Sequence, residues 1–179
     1  SSVLQLPKPV RTESPPRRSV GLAMAFAEDL LEQAEHLARR ERKRPKQASL
    51  RRAVSTAYYS LFHLLVAEAT ANWRRSDQRA TLARVFEHRK MKSASDAVAR
   101  LQVSGRDATI VGDLQMVAAA FVQLQQHRYA ADYDNSQKWS RTQALTLIDL
   151  AAEAFRRWRT IRTERIAQNY LLDFLVRRR

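Results

Sequence analysis

A single proline, Pro45, interrupts the chain after residue 16, and only three glycines occur among all 179 residues. Proline and glycine are the residues that most disfavour a helix interior, whereas the alanine, leucine, arginine and glutamine that dominate this chain favour it. The other four prolines lie within the first 16 residues, where no periodicity is sustained. The chain is therefore predicted to be an all-α protein that follows a disordered tail.

Length and periodicity predict how this helical chain is organised. At 179 residues it can form one substantial core, and we predict a helical bundle over residues 24–162. The disordered tail comprises residues 1–23, and a basic helical extension comprises residues 163–179. Because position 1 is not methionine, we also hypothesise that residues 1–23 derive from upstream translation, which mass spectrometry of the natural N-terminus would test.

Apolar residues recur every three to four positions along most of the chain, as is typical of amphipathic helices. The first helix is predicted over residues 22–42, and the second from an N-cap at Ser49 to about Trp73. A third helix is predicted with Ser76 or Asp77 as its cap, followed by irregular chain over residues 92–105. The fourth helix is predicted over residues 107–131. The second helix is expected at the centre of the bundle. Its apolar stripe comprises Leu50, Val54, Ala57, Tyr58, Leu61 and Leu65.

The C-terminal third begins with Ser140-Arg141-Thr142-Gln143, which fits a capping box before a long helical run. A helix that continued to Val176 would outreach a bundle of this size, so we expect a break at residues 160–163. We expect the tail beyond the break to pack separately. Its apolar stripe requires a partner surface, on the same chain or on a second subunit, and comprises Ile166, Tyr170, Leu171 and Phe174.

The fourth predicted helix carries charges where its apolar face should continue. That face runs through Phe121 and Leu124 to Arg128, and Asp132 lies one turn further on. One interpretation is an ion pair between residues i and i+4 that satisfies itself within the bundle. The other is a phosphate contact made by Arg128 in a cleft, with Tyr133 as a wall residue or a modification target.

Cysteine and histidine usage excludes several classes of site. The chain has no cysteine and only four scattered histidines, so disulfides, thiolate nucleophiles and a metal centre are not expected. We expect no cofactor. No apolar run approaches the roughly 20 residues that a membrane span requires, and we predict a cytoplasmic protein without a membrane partner.

The formal net charge of +14 favours a polyanionic partner such as RNA, although genomic base composition also enriches arginine. Basic residues are concentrated in residues 39–52 and 156–179. The alternative for both clusters is a solvated outer helix face. The residues that we predict to bind nucleic acid are Arg51, Arg52, Arg156, Arg157, Arg159 and Arg162.

Two blocks of sequence resemble the HEPN family of helical-bundle proteins. Residues 51–63, RRAVSTAYYSLFH, are similar to the family's AYYxxFH helix, and residues 128–134, RYAADYD, are similar to its RxxxADY ending. The resemblance covers residues 24–160, and it implies an up-down bundle of four to five helices that forms a homodimer with a shared polar cleft. Many members are metal-independent ribonucleases, and some are paired with a small nucleotidyltransferase in two-component systems.

The chain departs from the family at the catalytic pattern. Active members place a histidine after the arginine with four to six residues between the two, so that a cation for the phosphate lies beside an acid or base. After Arg128 those positions hold Tyr133, Asp134 and Asn135. The candidate catalytic residues are therefore Arg128, Asp132 and His63, and the candidate cleft residues are Tyr58, Tyr59, His127 and Tyr133. The histidines and tyrosines have an alternative role as buried structural residues.

Two functions follow from these observations. The first is an RNA-associated HEPN-like component of a toxin–antitoxin-like or defence system, in which ribonuclease activity by the usual mechanism is not expected. The second is a non-catalytic, dimerising protein-interaction module. A hydrolase or transferase that uses Asp132 or Asp134 as a base has no supporting motif.

Overall fold

The structure is a computed structural model that describes residues 17–102, 105 and 107–176, and within those residues it contains helices and no strand. Besides a 3-10 turn at Ser76–Gln78, the α-helices are α1 (Arg17–Arg39), α2 (Gln47–Ala71), α3 (Arg79–Ala83), α4 (His88–Ala99), α5 (Ala108–Tyr133), α6 (Arg141–Ile161) and α7 (Arg165–Asp173). The predicted all-α bundle is confirmed. Most of the predicted tail, residues 1–16, lies outside the described residues, as do the last three residues of the extension.

Helix α1 begins at Arg17 and ends at Arg39, not at residues 22 and 42. The predicted tail boundary at residue 23 is therefore wrong for residues 17–23. A glycine inside a helix costs only about 1 kcal/mol relative to alanine. Gly21 consequently does not interrupt α1, which continues through it from Arg17 to Arg39.

Helix α2 is the centre of the bundle, as predicted. It packs against α1, α5 and α6, and more briefly against α3 and α7; α6 also contacts both α1 and α5. The six residues of its predicted stripe, from Leu50 to Leu65, are fully buried. Most of the remaining residues of α2 between Ser49 and Thr70 are buried as well. This helix is therefore packed on most of its circumference.

The predicted N-cap at Ser49 is wrong. Helix α2 begins at Gln47, and Lys46 occupies the cap position without a capping hydrogen bond. The amide of Gln47 bonds the backbone of Trp139 in both directions, with Nε2 donating to the carbonyl and Oε1 accepting from N–H, each at 2.8 Å. Ser49 is instead buried inside the helix, where its hydroxyl donates to Glu41 at 2.8 Å. A long-range contact therefore sets the helix start.

The third predicted helix is divided in two. Neither Ser76 nor Asp77 caps α3, which follows the 3-10 turn with Gln78 at its N-cap position. The irregular chain predicted from residue 92 is wrong up to Ala99, because α4 covers it. Buried residues in α4 recur at a spacing of four and three, which is a helical pattern, and they are Met91, Ser95 and Val98.

The remaining elements follow the predictions closely. Helix α5 ends two residues later than expected, at Tyr133. The capping box at α6 is confirmed, because the Gln143 N–H donates to Ser140 Oγ at 3.1 Å and the Ser140 N–H donates to Gln143 Oε1 at 2.8 Å. The expected break is confirmed between Ile161 and Arg165.

Helix α7 does not pack separately from the bundle. It lies against α2 and α4, and Tyr170, Leu171 and Phe174 are buried in the same core as the long helices. The Tyr170 hydroxyl lies 2.8 Å from Ser95 Oγ on α4. The partner surface of the C-terminal stripe is therefore on the same chain. None of the described helices is both long and apolar enough to span a membrane.

Candidate functional site at the end of helix α5

Arg128 points from α5 into the bundle beside α2, as its place on the apolar face predicts. Its Nη2 donates a hydrogen bond to the Tyr59 hydroxyl at 2.8 Å. Its Nε lies 3.1 Å from Asp132 Oδ2, so the predicted ion pair is confirmed, with 16% of the Arg128 and 28% of the Asp132 side chain exposed. That Nε is buried without an aligned hydrogen bond. Asp132 is therefore paired with Arg128 mainly by charge.

Three tyrosine rings surround the Arg128 guanidinium. Its Cζ lies 5.7 Å from the Tyr58 ring centroid, 5.4 Å from that of Tyr59 and 5.9 Å from that of Tyr133. Cation–π attraction of this kind is worth about 0.5–2 kcal/mol, the upper value applying to desolvated cations. An arginine has five N–H donors. Among the described residues, only the Tyr59 hydroxyl accepts a well-aligned hydrogen bond from Arg128. The guanidinium thus retains the capacity to bind an anion.

His88, the first residue of α4, completes this cluster and is absent from the sequence-based candidates. Its Nδ1 lies 2.5 Å from the Tyr58 hydroxyl. Its ring stacks on Phe62 with centroids 4.4 Å apart and also lies against the Tyr58 and Tyr59 rings, at 5.6 and 6.0 Å. The only sequence signal was that a buried tyrosine hydroxyl requires a partner; the sequence does not say which residue supplies it.

Arg51 lies beside the cluster but serves the backbone. Its guanidinium donates to the carbonyl oxygens of Ala131 and Asp134 at 2.8 Å and of Gln137 at 2.7 Å. The carbonyls at a helix C-terminus have no partner within the helix, so Arg51 stabilises the end of α5 and the loop beyond it. This arginine is consequently committed to the fold and is a poor candidate for a nucleic-acid contact.

His63, a candidate catalytic residue with an alternative structural role, does not meet the Arg128 and Asp132 pair. Within the described residues it makes no hydrogen bond; its ring packs edge-on against Phe26 at 5.1 Å and lies 6.4 Å from the Tyr59 ring. It lines a separate cavity of about 270 Å³ between α1, α2 and α3. Tyr59 lies one turn before His63 on α2, and Tyr59 makes the contact with Arg128.

His127 is not a cleft residue either. Its ring lies 5.8 Å from that of Trp139, and it lines another cavity, of about 230 Å³, formed with α6. Adjacent residues of a helix point about 100° apart. His127 therefore faces α6 while Arg128 faces α2.

Four arginines at the C-terminal end of α6 and at its C-cap position are paired with carboxylates of the same chain. Arg157 contacts Asp113 at 2.5 Å and Glu153 at 2.6 Å, while Arg156 also pairs with Glu153. Arg159 contacts Glu28 at 2.6 Å, and Arg162 contacts the buried Glu68 at 2.7 Å. These carboxylates reduce the local positive potential that a phosphate backbone would meet. Among the six predicted nucleic-acid contacts, Arg52 is exposed and has no partner among the described residues.

Burial shifts the pKa values of the site. Burial lowers the pKa of His88, and the charge of Arg128 and the neighbouring His63 lower it further. Burial also lowers the pKa of His63 and of His127, and it raises the pKa of the Tyr58 hydroxyl above its ordinary range. For Arg128, burial alone would lower the pKa, but the hydrogen bond with Tyr59 and the nearby Asp132 and Tyr133 raise it. At neutral pH the cluster therefore has one cation beside a neutral histidine.

These shifts predict that the protein loses stability as the pH falls from about 7 to 5. In this window the unfolded chain protonates its histidines near their ordinary pKa of about 6.5, while the folded chain resists protonation at His88, His63 and His127. The unfolded state then binds more protons, so the free energy of unfolding decreases with falling pH. Urea unfolding at several pH values measures this slope.

A histidine variant tests the origin of that slope. His63→Gln should reduce the slope, because burial lowers the pKa of His63 in the folded state. Carboxylates titrate mainly below this window. Equal stability at pH 7 and pH 5 would contradict the assignment.

Comparisons with protein-family models, with curated proteins and with solved structures found no match. Within the described part of the chain, no group of three or more histidine or acidic side chains is placed to hold a metal ion.

Proposed function

We propose that this chain is a HEPN-like, RNA-associated protein whose cleft around Arg128 binds a phosphate group of RNA. The observation that carries the proposal is a guanidinium that lies against three aromatic rings, is only 16% exposed and retains unused donors. Planar guanidinium donors match phosphate oxygens, and aromatic rings favour stacking of nucleic-acid bases.

The position of the two HEPN-like blocks supports this proposal. Tyr58 and Tyr59, from the first block, lie against Arg128 of the second block. Arg128 also contacts Asp132 and Tyr133 of its own block. The blocks are separated by more than 60 residues in sequence, yet their most distinctive polar residues meet in one cluster. As a system-level role, we propose a toxin–antitoxin-like or defence component that is paired with a small nucleotidyltransferase.

Binding is better supported than cleavage. No histidine follows Arg128 at the family's catalytic spacing, and His63 lies outside the cluster. A base near the phosphate is needed to activate a ribose hydroxyl. We therefore propose RNA binding without cleavage by the usual family mechanism.

Incubation of the purified protein with labelled single-stranded RNA, in the presence of a chelator and over a range of salt concentrations, tests this function. We expect intact RNA and an affinity that falls steeply with salt, since each phosphate contact releases counterions and adds about −0.7 to the logarithmic slope for single strands. Metal-independent cleavage would establish an enzyme. Absence of binding at low salt would overturn the proposed function.

A specific observation favours the alternative, a dimerising protein-interaction module. Tyr129 and Tyr133 are each 64% exposed on the outside of α5, and their rings lie 5.0 Å apart. An exposed aromatic pair is typical of protein interfaces, and the paired arginines of α6 weaken the case for a nucleic-acid surface there. Analytical ultracentrifugation of wild type and Tyr129→Ser tests this alternative; a homodimer that dissociates in the variant supports it.

A further inference from the structure

The hydrogen bond between Tyr58 and His88 determines which nitrogen of His88 is protonated. The Tyr58 hydroxyl is fully buried, and His88 Nδ1, at 2.5 Å, is its only described partner. Because burial raises the pKa of this hydroxyl, it keeps its proton. A buried O–H requires an acceptor, and His88 Nδ1 is the only described acceptor within reach, so the hydroxyl is the donor of this hydrogen bond. A neutral imidazole whose Nδ1 accepts a hydrogen bond has its proton on Nε2.

The His88 ring is also held in a fixed position beside Arg128. It stacks on Phe62, and its backbone carbonyl accepts a hydrogen bond from Gln125 Nε2 on α5 at 3.2 Å. Arg128 and His88 lie against the same two rings, those of Tyr58 and Tyr59. Within the described residues Nε2 has no hydrogen-bond partner, and the residue is partly exposed.

We propose that His88 is a second anion-binding residue of the Arg128 cleft, in which its Nε2–H donates a hydrogen bond to a phosphate oxygen of RNA. This inference rests on the proposed function. Arg128 supplies the charge, and the neutral His88 supplies a directed donor whose orientation Tyr58 maintains. A ring whose Nδ1 is occupied and whose Nε2 is protonated has no lone pair available to accept a proton. His88 therefore binds the phosphate and does not act as the missing base.

Nitrogen-15 NMR of the histidine side chains at pH 7 tests the assigned tautomer. Two-bond couplings distinguish Nε2–H from Nδ1–H, and the exposed His36 serves as an internal reference. We expect His88 to be the Nε2–H form in wild type and to populate the Nδ1–H form in Tyr58→Phe, which lacks the donor. A wild-type ring with its proton on Nδ1 would overturn the proposal.

Binding measurements with matched variants test the role of the donor. His88→Phe keeps the stacking on Phe62 but loses the donor, so we expect about tenfold weaker RNA binding, as for the loss of one hydrogen bond to a charged group. His88→Gln retains an N–H at a similar reach and should lose less affinity. His127→Phe changes a histidine that faces α6 and should bind as wild type does. Wild-type affinity in folded His88→Phe would contradict the role.

Titration of labelled wild-type protein with inorganic phosphate separates this inference from the proposed function, and it requires no variant to fold. If phosphate shifts the His88 Nε2 resonance but RNA does not bind, the proposed function fails and the anion-binding role stands. If RNA binds and His88 Nε2 does not move, the proposed function stands and the role of His88 is overturned. If RNA does not bind and phosphate does not shift the resonance, both are overturned.

Discussion

Arg128→Met is expected to weaken the binding of single-stranded RNA by roughly tenfold to a hundredfold, which corresponds to about 1.5–3 kcal/mol for hydrogen bonds to a charged group. Methionine fills the space among the tyrosine rings but has neither charge nor donors. Arg128→Lys keeps the charge but loses the planar guanidinium, so its affinity for RNA should lie between that of wild type and that of Arg128→Met. Fluorescence anisotropy at several salt concentrations measures both effects. In Arg128→Met, the logarithm of the binding constant should depend less steeply on the logarithm of the salt concentration, by about the amount that one phosphate contact contributes.

Loss of folding must be distinguished from loss of binding in these variants, because removing Arg128 leaves Asp132 without its partner. The double variant Arg128→Met with Asp132→Asn removes the unpaired carboxylate and should recover stability without recovering RNA affinity. Arg156→Met is a matched control on α6, where the arginine is exposed and pairs with Glu153, and it should bind nearly as wild type does. Wild-type affinity in folded Arg128→Met would refute the phosphate site.

Phe174→Ala is expected to lower the free energy of unfolding by about 3–5 kcal/mol, the usual cost of removing a buried phenylalanine side chain. Phe174 is fully buried, with its ring 4.7 Å from that of Tyr170 and 6.4 Å from that of Phe86. For a domain of this size the loss corresponds to a decrease in Tm of about 6–20 °C. The reason is that α7 contributes to the main core, so a cavity there destabilises the whole bundle.

Leu172→Ala is the matched control for this prediction. Leu172 lies on α7, two residues before Phe174, but is 56% exposed, so its truncation should change Tm only slightly. Differential scanning calorimetry compares the two variants with wild type. If α7 were an extension that packs separately, Phe174→Ala would leave the main transition at the wild-type temperature.

The features that the sequence predicted well depend on residues close together in the chain. The capping box at Ser140 and the Arg128–Asp132 pair involve residues three or four positions apart, and the periodic burial of α2 repeats every three to four residues. The start of α2 was not predictable in this way, because the contact of Gln47 with Trp139 joins residues 92 positions apart. The same difference explains His127, because the sequence places it beside Arg128 but does not say which helix it faces.

The sequence by itself determined that the chain is helical, that its second helix is central to the bundle and that Arg128 and Asp132 interrupt an apolar face. These properties follow from helix propensity and periodicity, which are local. Only the tertiary structure decided what those charges meet. It placed His88 against Tyr58, 30 positions away, paired the arginines of α6 with acids on other helices, and packed α7 into the core. Such pairings depend on which helix faces are neighbours, and helical periodicity defines the faces without defining the neighbours.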